Sequence, residues 1–155
     1  MIKKSSLLIL FIVILVSAIG GAITDGGMAW YDTIILPSFT PAGSVIGAVW
    51  TIIFALCIAS AIIIWSIQPH DKSFRLIILL FLINAFLNVF WSALFFGWHL
   101  IGFAFVEAIL LDLSVIALII LIWPKSRLSA SLLIPYAFWV AFASFLTFTI
   151  WQLNS

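Results

Sequence analysis

Two carboxylates inside apolar sequence are the residues with the strongest claim on chemistry. Glu107 and Asp112 interrupt the run Leu100–Trp123, which is otherwise uncharged. A carboxylate in hydrocarbon is costly, so such a residue faces a bundle interior or water and is a functional candidate. Five positions apart on a helix, the two point about 140° away from each other and cannot act as an acid/base pair on one face. No Lys or Arg lies within any apolar run to neutralise them. A buried acid that locks one helix to its neighbours accounts for them equally well. The sequence has no Ser-His-Asp spacing, no phosphate-cradling glycine loop and no Cys/His cluster, so neither a metal nor a required cofactor is expected. His70 and His99 fall at opposite ends of the apolar segments, too far apart to share a metal. Cys57 is the sole cysteine, which leaves no disulfide within the chain.

Aromatic and amide side chains form the second set. Ile46, Trp50 and Phe54 recur every fourth residue and share a helix face, as do Asn84, Asn88 and Ser92, with Trp91 beside them. Trp139, Ala143 and Thr147 make a third stripe, where an alanine beside an indole leaves a recess. At about 1.5 Å per residue, Trp50, Trp91, Asn88 and Glu107 lie roughly 9 to 13 Å from one end of their segments, and Trp139 about 20 Å. Helix–helix hydrogen bonding explains each asparagine taken alone. Trp65, Trp98, Trp123 and Trp151 fall near segment ends, where indoles favour the headgroup zone.

The elements that must position these groups are apolar helices. Of 155 residues, 66% are apolar and 7% charged, against about a quarter charged in a soluble domain. Five segments are long enough to cross a bilayer of about 30 Å, over roughly 5–24, 43–67, 73–97, 100–123 and 128–153. They predict one domain, residues 1–155: an all-α membrane protein, a bundle of five transmembrane helices. A net charge of +1 without a basic run argues against nucleic acid. Lys3 and Lys4 precede the first segment, Lys72 and Arg75 lie between the second and third, and Lys125 and Arg127 between the fourth and fifth. Basic short loops stay cytoplasmic, so the N-terminus is expected inside and the C-terminus outside. Lys3-Lys4 and Leu7–Val16 resemble a signal peptide, but apolar character runs on through Ile23, so the first span is expected to be retained. The turns at Gln68–Lys72 and Pro124–Arg127 each contain a proline, and Pro135 should kink the fifth helix or sit near its first turn. The long connection Asp25–Ala42, opened by Gly26-Gly27 and stiffened by Pro37 and Pro41, reads as an ordered, aromatic lid.

Three stretches resemble the translocator protein family, also called the tryptophan-rich sensory or peripheral benzodiazepine receptor family. They are Trp30-Tyr31 with Leu36–Pro41 and Val49-Trp50-Thr51; Asn84–Asn88 with Trp91–Phe96; and Leu133–Tyr136 with Trp139, Phe142-Ala143 and Ile150–Asn154. The chain departs from the family pattern at Phe39, Ala42 and Thr147, and the end of the fifth helix lacks the sterol-contact pattern. The resemblance implies a five-helix homodimer with a pocket near the loop end. Its ligands would be porphyrin or haem, with sterol-like or isoquinoline molecules as further ligands. The pocket residues it implies are Tyr31, Pro41, Ile46, Trp50, Phe54, Asn88, Trp91, Ser92, Trp139 and Ala143. A tetrapyrrole-binding sensor, scavenger or carrier in a prokaryotic cell membrane is the first expectation. A light- or oxygen-dependent porphyrin-degrading enzyme using Trp50 and Trp139 is the second. A small transporter using the intramembrane carboxylates is the third.

Overall fold

The computed structural model describes residues 4–67 and 71–155; Lys3 and His70, and Gln68 and Pro69 of the expected turn Gln68–Lys72, lie outside the described residues. The elements are α1 (Lys4–Tyr31), α2 (Gly43–Ser66), α3 (Lys72–Ser92), a π-helical segment (Ala93–Gly97), α4 (Ile101–Ile122), a short α5 (Arg127–Ser131) and α6 (Ile134–Leu153). Five helices are long and apolar enough to cross a membrane: α1, α2, α3 with its π segment, α4, and α5 with α6. Their order around the bundle is not their order in the chain. α1 touches α2 and α3, α3 touches α4, α4 touches α6, and α2 touches α5, so the ring runs α1, α2, α5/α6, α4, α3. Leu7, Phe11, Phe86, Phe103 and Phe138 point outward, as expected of side chains facing lipid.

Three boundaries differ from the sequence reading. α1 continues to Tyr31, so Gly26-Gly27 do not open a loop and the true connection is 32–42. Gly27 is buried because α1 passes directly over the π segment: a Cβ placed there would stand 2.5 Å from the Phe96 carbonyl oxygen. The glycine serves close helix approach rather than chain reversal. The third span does not stay α-helical to its end. Trp98 N–H donates to the Ala93 carbonyl at 2.8 Å, five residues back, which widens the last turn. The fifth span is broken at Leu132–Leu133, and Pro135 lies in the first turn of α6, where its missing N–H costs no hydrogen bond.

The end that carries Lys4, Lys72, Arg75, Lys125 and Arg127 is tied together by two devices. Asp71 caps α3 by accepting from Phe74 N–H at 2.8 Å, and Lys125 reaches both of its carboxylate oxygens at 3.1 and 3.2 Å. The Phe74 amide first and the Lys125 ammonium second hold Asp71 below the usual carboxylate range. Deeper, the hydroxyls of Ser60 on α2 and Ser129 on α5 lie 2.8 Å apart. Each is also placed to donate to the other's backbone carbonyl at 2.9 Å. Both serines are fully buried, and this reciprocal lock satisfies hydroxyls that hydrocarbon would leave unpaired.

Candidate functional site at the loop end

The connection 32–42 is short but held at several points. Thr33 N–H and Oγ1 both donate to the Trp30 carbonyl, which stops α1. Asn154, beyond the end of α6, accepts from Ile35 N–H and donates to the Ile35 carbonyl, both at 2.9 Å. A side-chain amide thus pairs with the loop backbone as a neighbouring strand would. Phe39 stacks on Phe145 at 5.5 Å and meets Phe142 edge-on at 6.5 Å. The loop therefore lies ordered across α6, as the sequence implied, although it starts seven residues later.

Beneath it the aromatic side chains fall into two groups. In the first, Trp91 stacks on Phe95 at 5.1 Å, and Tyr31 packs on Phe95 and Phe96 at 6.1 and 5.6 Å. Trp30 meets Phe95 edge-on and stacks on His99 at 4.1 Å. His99 adopts a left-handed backbone, φ 58°, which reverses the chain between the π segment and α4. Phe95 and Phe96, consecutive in the π segment, both pack against α1 at Tyr31. Ser92 is buried in the same region, its hydroxyl 3.5 Å from where a Cβ on Gly20 would lie.

The second group surrounds Tyr136. Trp50 lies 5.9 Å from the Tyr136 ring and 5.6 Å from Phe54, while Trp139 packs against the same core and touches Phe142 at 5.5 Å. Asn88 Nδ2 donates to Tyr136 OH at 3.0 Å, and Tyr136 OH donates to Asn84 Oδ1 at 3.1 Å. Asn84 Nδ2 then donates to Ser114 Oγ at 2.8 Å, and Ser114 closes on the Leu111 carbonyl at 2.7 Å. This chain joins α3, α6 and α4 through the bundle centre. Sequence reasoning passed over Tyr136 as an active participant. The available signal was a phenol within the apolar run of α6, a group that must find a partner when buried.

Trp50, Phe54 and Asn88 thus meet around Tyr136, and Trp139 borders them, whereas Tyr31, Trp91 and Ser92 belong to the π-segment group. Ala143 follows Trp139 by one turn and accepts from Thr147 Oγ1. Pro41 and Ile46 are half-buried where the loop enters α2. Several buried polar atoms lack a partner among the described residues: the indole nitrogens of Trp91 and Trp139, both carboxylate oxygens of Glu107 and one of Asp112. Glu107 is only 3% exposed, so α4 turns it into the bundle, where no cation among the described residues meets it.

The chain is similar in sequence to known proteins. A profile of the TspO/MBR family matches residues 8–152. The chain is 33% identical to the tryptophan-rich protein TspO of Bacillus cereus, over 98% of each chain. It is 37% identical to the membrane protein YtaB of Bacillus subtilis, covering 81% of this chain and 80% of that one. With the human translocator protein it shares 29% identity, over 83% of this chain and 76% of the human one. Five membrane-length helices, the tryptophan-lined loop end and this match over nearly the whole length place the chain in the TspO/MBR family.

Proposed function

We propose that the loop end of the bundle binds a flat tetrapyrrole, porphyrin or haem, between the Trp91 group and the Trp50–Trp139 group, and that the protein acts as a sensor, scavenger or carrier. The observation that carries this reading is the pair of buried indole N–H donors, Trp91 Nε1 and Trp139 Nε1, that no group among the described residues satisfies. A buried donor without an acceptor costs free energy, and a ligand that brings acceptors on an aromatic frame removes that cost while its face stacks on indole. Porphyrin carries both features. Tyr31, Pro41, Ile46, Phe54, Asn88, Ser92 and Ala143 complete the proposed wall, with Ala143 as the recess. We place Lys72 and Lys125 on the cytoplasmic side of a prokaryotic cell membrane and the loop end outside, in a homodimer.

Titration of the purified protein with protoporphyrin in darkness tests the reading. Trp139→Phe and Trp91→Phe keep an aromatic ring but remove the donor and part of the stacking face, and each should weaken binding at least about five- to tenfold, the effect of one buried hydrogen bond. Trp123→Phe, at the basic end, should leave it unchanged. Equal affinity in all four proteins would overturn the site. Illumination of the complex separates binder from enzyme: a new product that disappears with Trp50→Phe or Trp139→Phe identifies turnover, and its absence supports binding alone.

A further inference from the structure

In the basic half of the bundle, α1, α2 and α3 do not close on one another. They enclose a cavity of about 210 Å³. Higher up, α1 meets the third span closely, at Gly20 against Ser92 and Gly27 against Phe96; below that the helices part around the cavity. Leu8, Ile12 and Val16 of α1 form one wall, Cys57, Ala61 and Trp65 of α2 the second, and Ile78, Leu82 and Ala85 of α3 the third. Small residues make the space: Cys57 and Ala61 are one turn apart on α2, and Ala85 faces from α3.

Two further observations give the space a chemical character. Its wall includes Asn88, Asn84 and Tyr136, the start of the hydrogen-bond chain described above. That chain uses one N–H of Asn88, so the Asn88 carbonyl oxygen and second N–H have no partner among the described residues. Its wall also includes Leu8 and Leu82, which are 52% and 50% exposed, so the cavity reaches the hydrocarbon between α1 and α3. An apolar cavity of about 150 Å³ holds a benzene-sized molecule, whereas drug-sized ligands need about 300 Å³ or more. A macrocycle is therefore too large. We propose that this cavity is a second binding site, entered from the lipid between α1 and α3, for a slim alkyl or single-ring molecule whose alcohol, phenol or amide head bonds Asn88. The site shares Phe54 and Asn88 with the proposed loop-end wall, and Tyr136 and Asn84 with the hydrogen-bond chain behind it, but does not rest on the tetrapyrrole reading.

Cys57, the sole cysteine, lines the cavity and reports on its filling. In nanodisc-embedded protein, methyl methanethiosulfonate should modify Cys57, and 1-octanol at ten times its dissociation constant should slow that reaction about tenfold by mass action. n-Octane, the same chain without a head, should protect far more weakly. Ala61→Leu, or Ala85→Leu if the first variant folds poorly, fills the space and should abolish 1-octanol protection while protoporphyrin binding persists. Should Cys57 not react, because a thiol in apolar surroundings is a poor nucleophile, occupancy is read instead as a rise in thermal midpoint with 1-octanol that Ala61→Leu abolishes, and no such rise would overturn the proposal. With a reactive Cys57, absent protection by 1-octanol would overturn it too, as would equal protection by n-octane or protection that survives a filled cavity.

Discussion

The two halves of the bundle fill the membrane interior in different ways. At the loop end, aromatic rings stack in groups, a π turn and a buried glycine bring α1 against the third span, and indole donors remain unpaired. At the basic end, aliphatic side chains predominate, serine hydroxyls and an ion pair tie the turns, and a largely apolar cavity opens between α1, α2 and α3. The contrast is between a half whose unmet needs are polar atoms and a half whose unmet need is volume. Unpaired donors select a partner by chemistry, while an apolar void selects by shape and size.

The largest expected effect attacks the contact that closes the loop-end half. Gly27→Val drives a branched side chain into the Phe96 backbone, which is not free to move aside. It should cost about 3 kcal/mol or more and show as loss of the folded, monodisperse fraction. Gly26→Ala, one residue away and facing open space, should leave thermal stability unchanged or slightly raised. Similar behaviour of both variants would mean that α1 does not seat on the π segment.

The link between the halves is the next to break. Tyr136→Phe keeps the ring against Trp50 but removes the hydroxyl that joins Asn88 to Asn84. Hydrogen bonds between membrane helices are worth about 0.6 to 2 kcal/mol, and a loss of that size should appear as a lower midpoint in denaturant. A double variant with Asn84→Ala should then cost less than the two single effects summed.

A smaller and more local effect is expected at the loop. Asn154→Ala removes both bonds to Ile35 at an exposed site, so global stability should fall by less than about 1 kcal/mol. Amide exchange over residues 33–40 should accelerate, while exchange in α4 stays as it was. The smallest effect concerns the basic end. Asp71 has a lowered pKa in the folded protein, so its contribution is present above its unfolded value of about 3.9 and is lost as pH falls through the lower folded value. Thermal midpoints should decline more steeply for the wild type than for Asp71→Asn as pH drops from about 5 to below 3. Parallel declines would show that the cap and ion pair add nothing.

How much of this was legible in the sequence depended on whether a feature is set by one segment or by two. Span number and the shared end of the basic residues follow from apolar length and charge position, which are properties of single segments. The stripes Ile46–Trp50–Phe54 and Asn84–Asn88–Ser92 were readable because helical periodicity is local. Gly26-Gly27 were not: a glycine pair looks the same whether it frees a turn or admits another backbone, and only the Phe96 carbonyl decides. The π segment depends on one hydrogen bond shifted by a residue, which composition does not encode. Tyr136 became a hub, and Ser60 found Ser129, through contacts 48 to 69 residues apart. Depth along its helix settles which half a residue serves, whereas the neighbours it meets follow from the ring order, which the chain order of the helices conceals.

That ring order bears on how the molecule is made. The span synthesised last lies between the second and the fourth, with α2 on one side and α4 on the other. Helices leaving the insertion machinery in sequence cannot simply stack each newcomer on the outside of the previous one. The first four must leave a vacant berth for the fifth, or part again to receive it, and until it arrives Asn84, Asn88 and Ser60 have no Tyr136 or Ser129 to bond. During that interval the half-built ring carries unpaired polar groups in lipid, a state that invites capture by membrane chaperones or a second nascent copy.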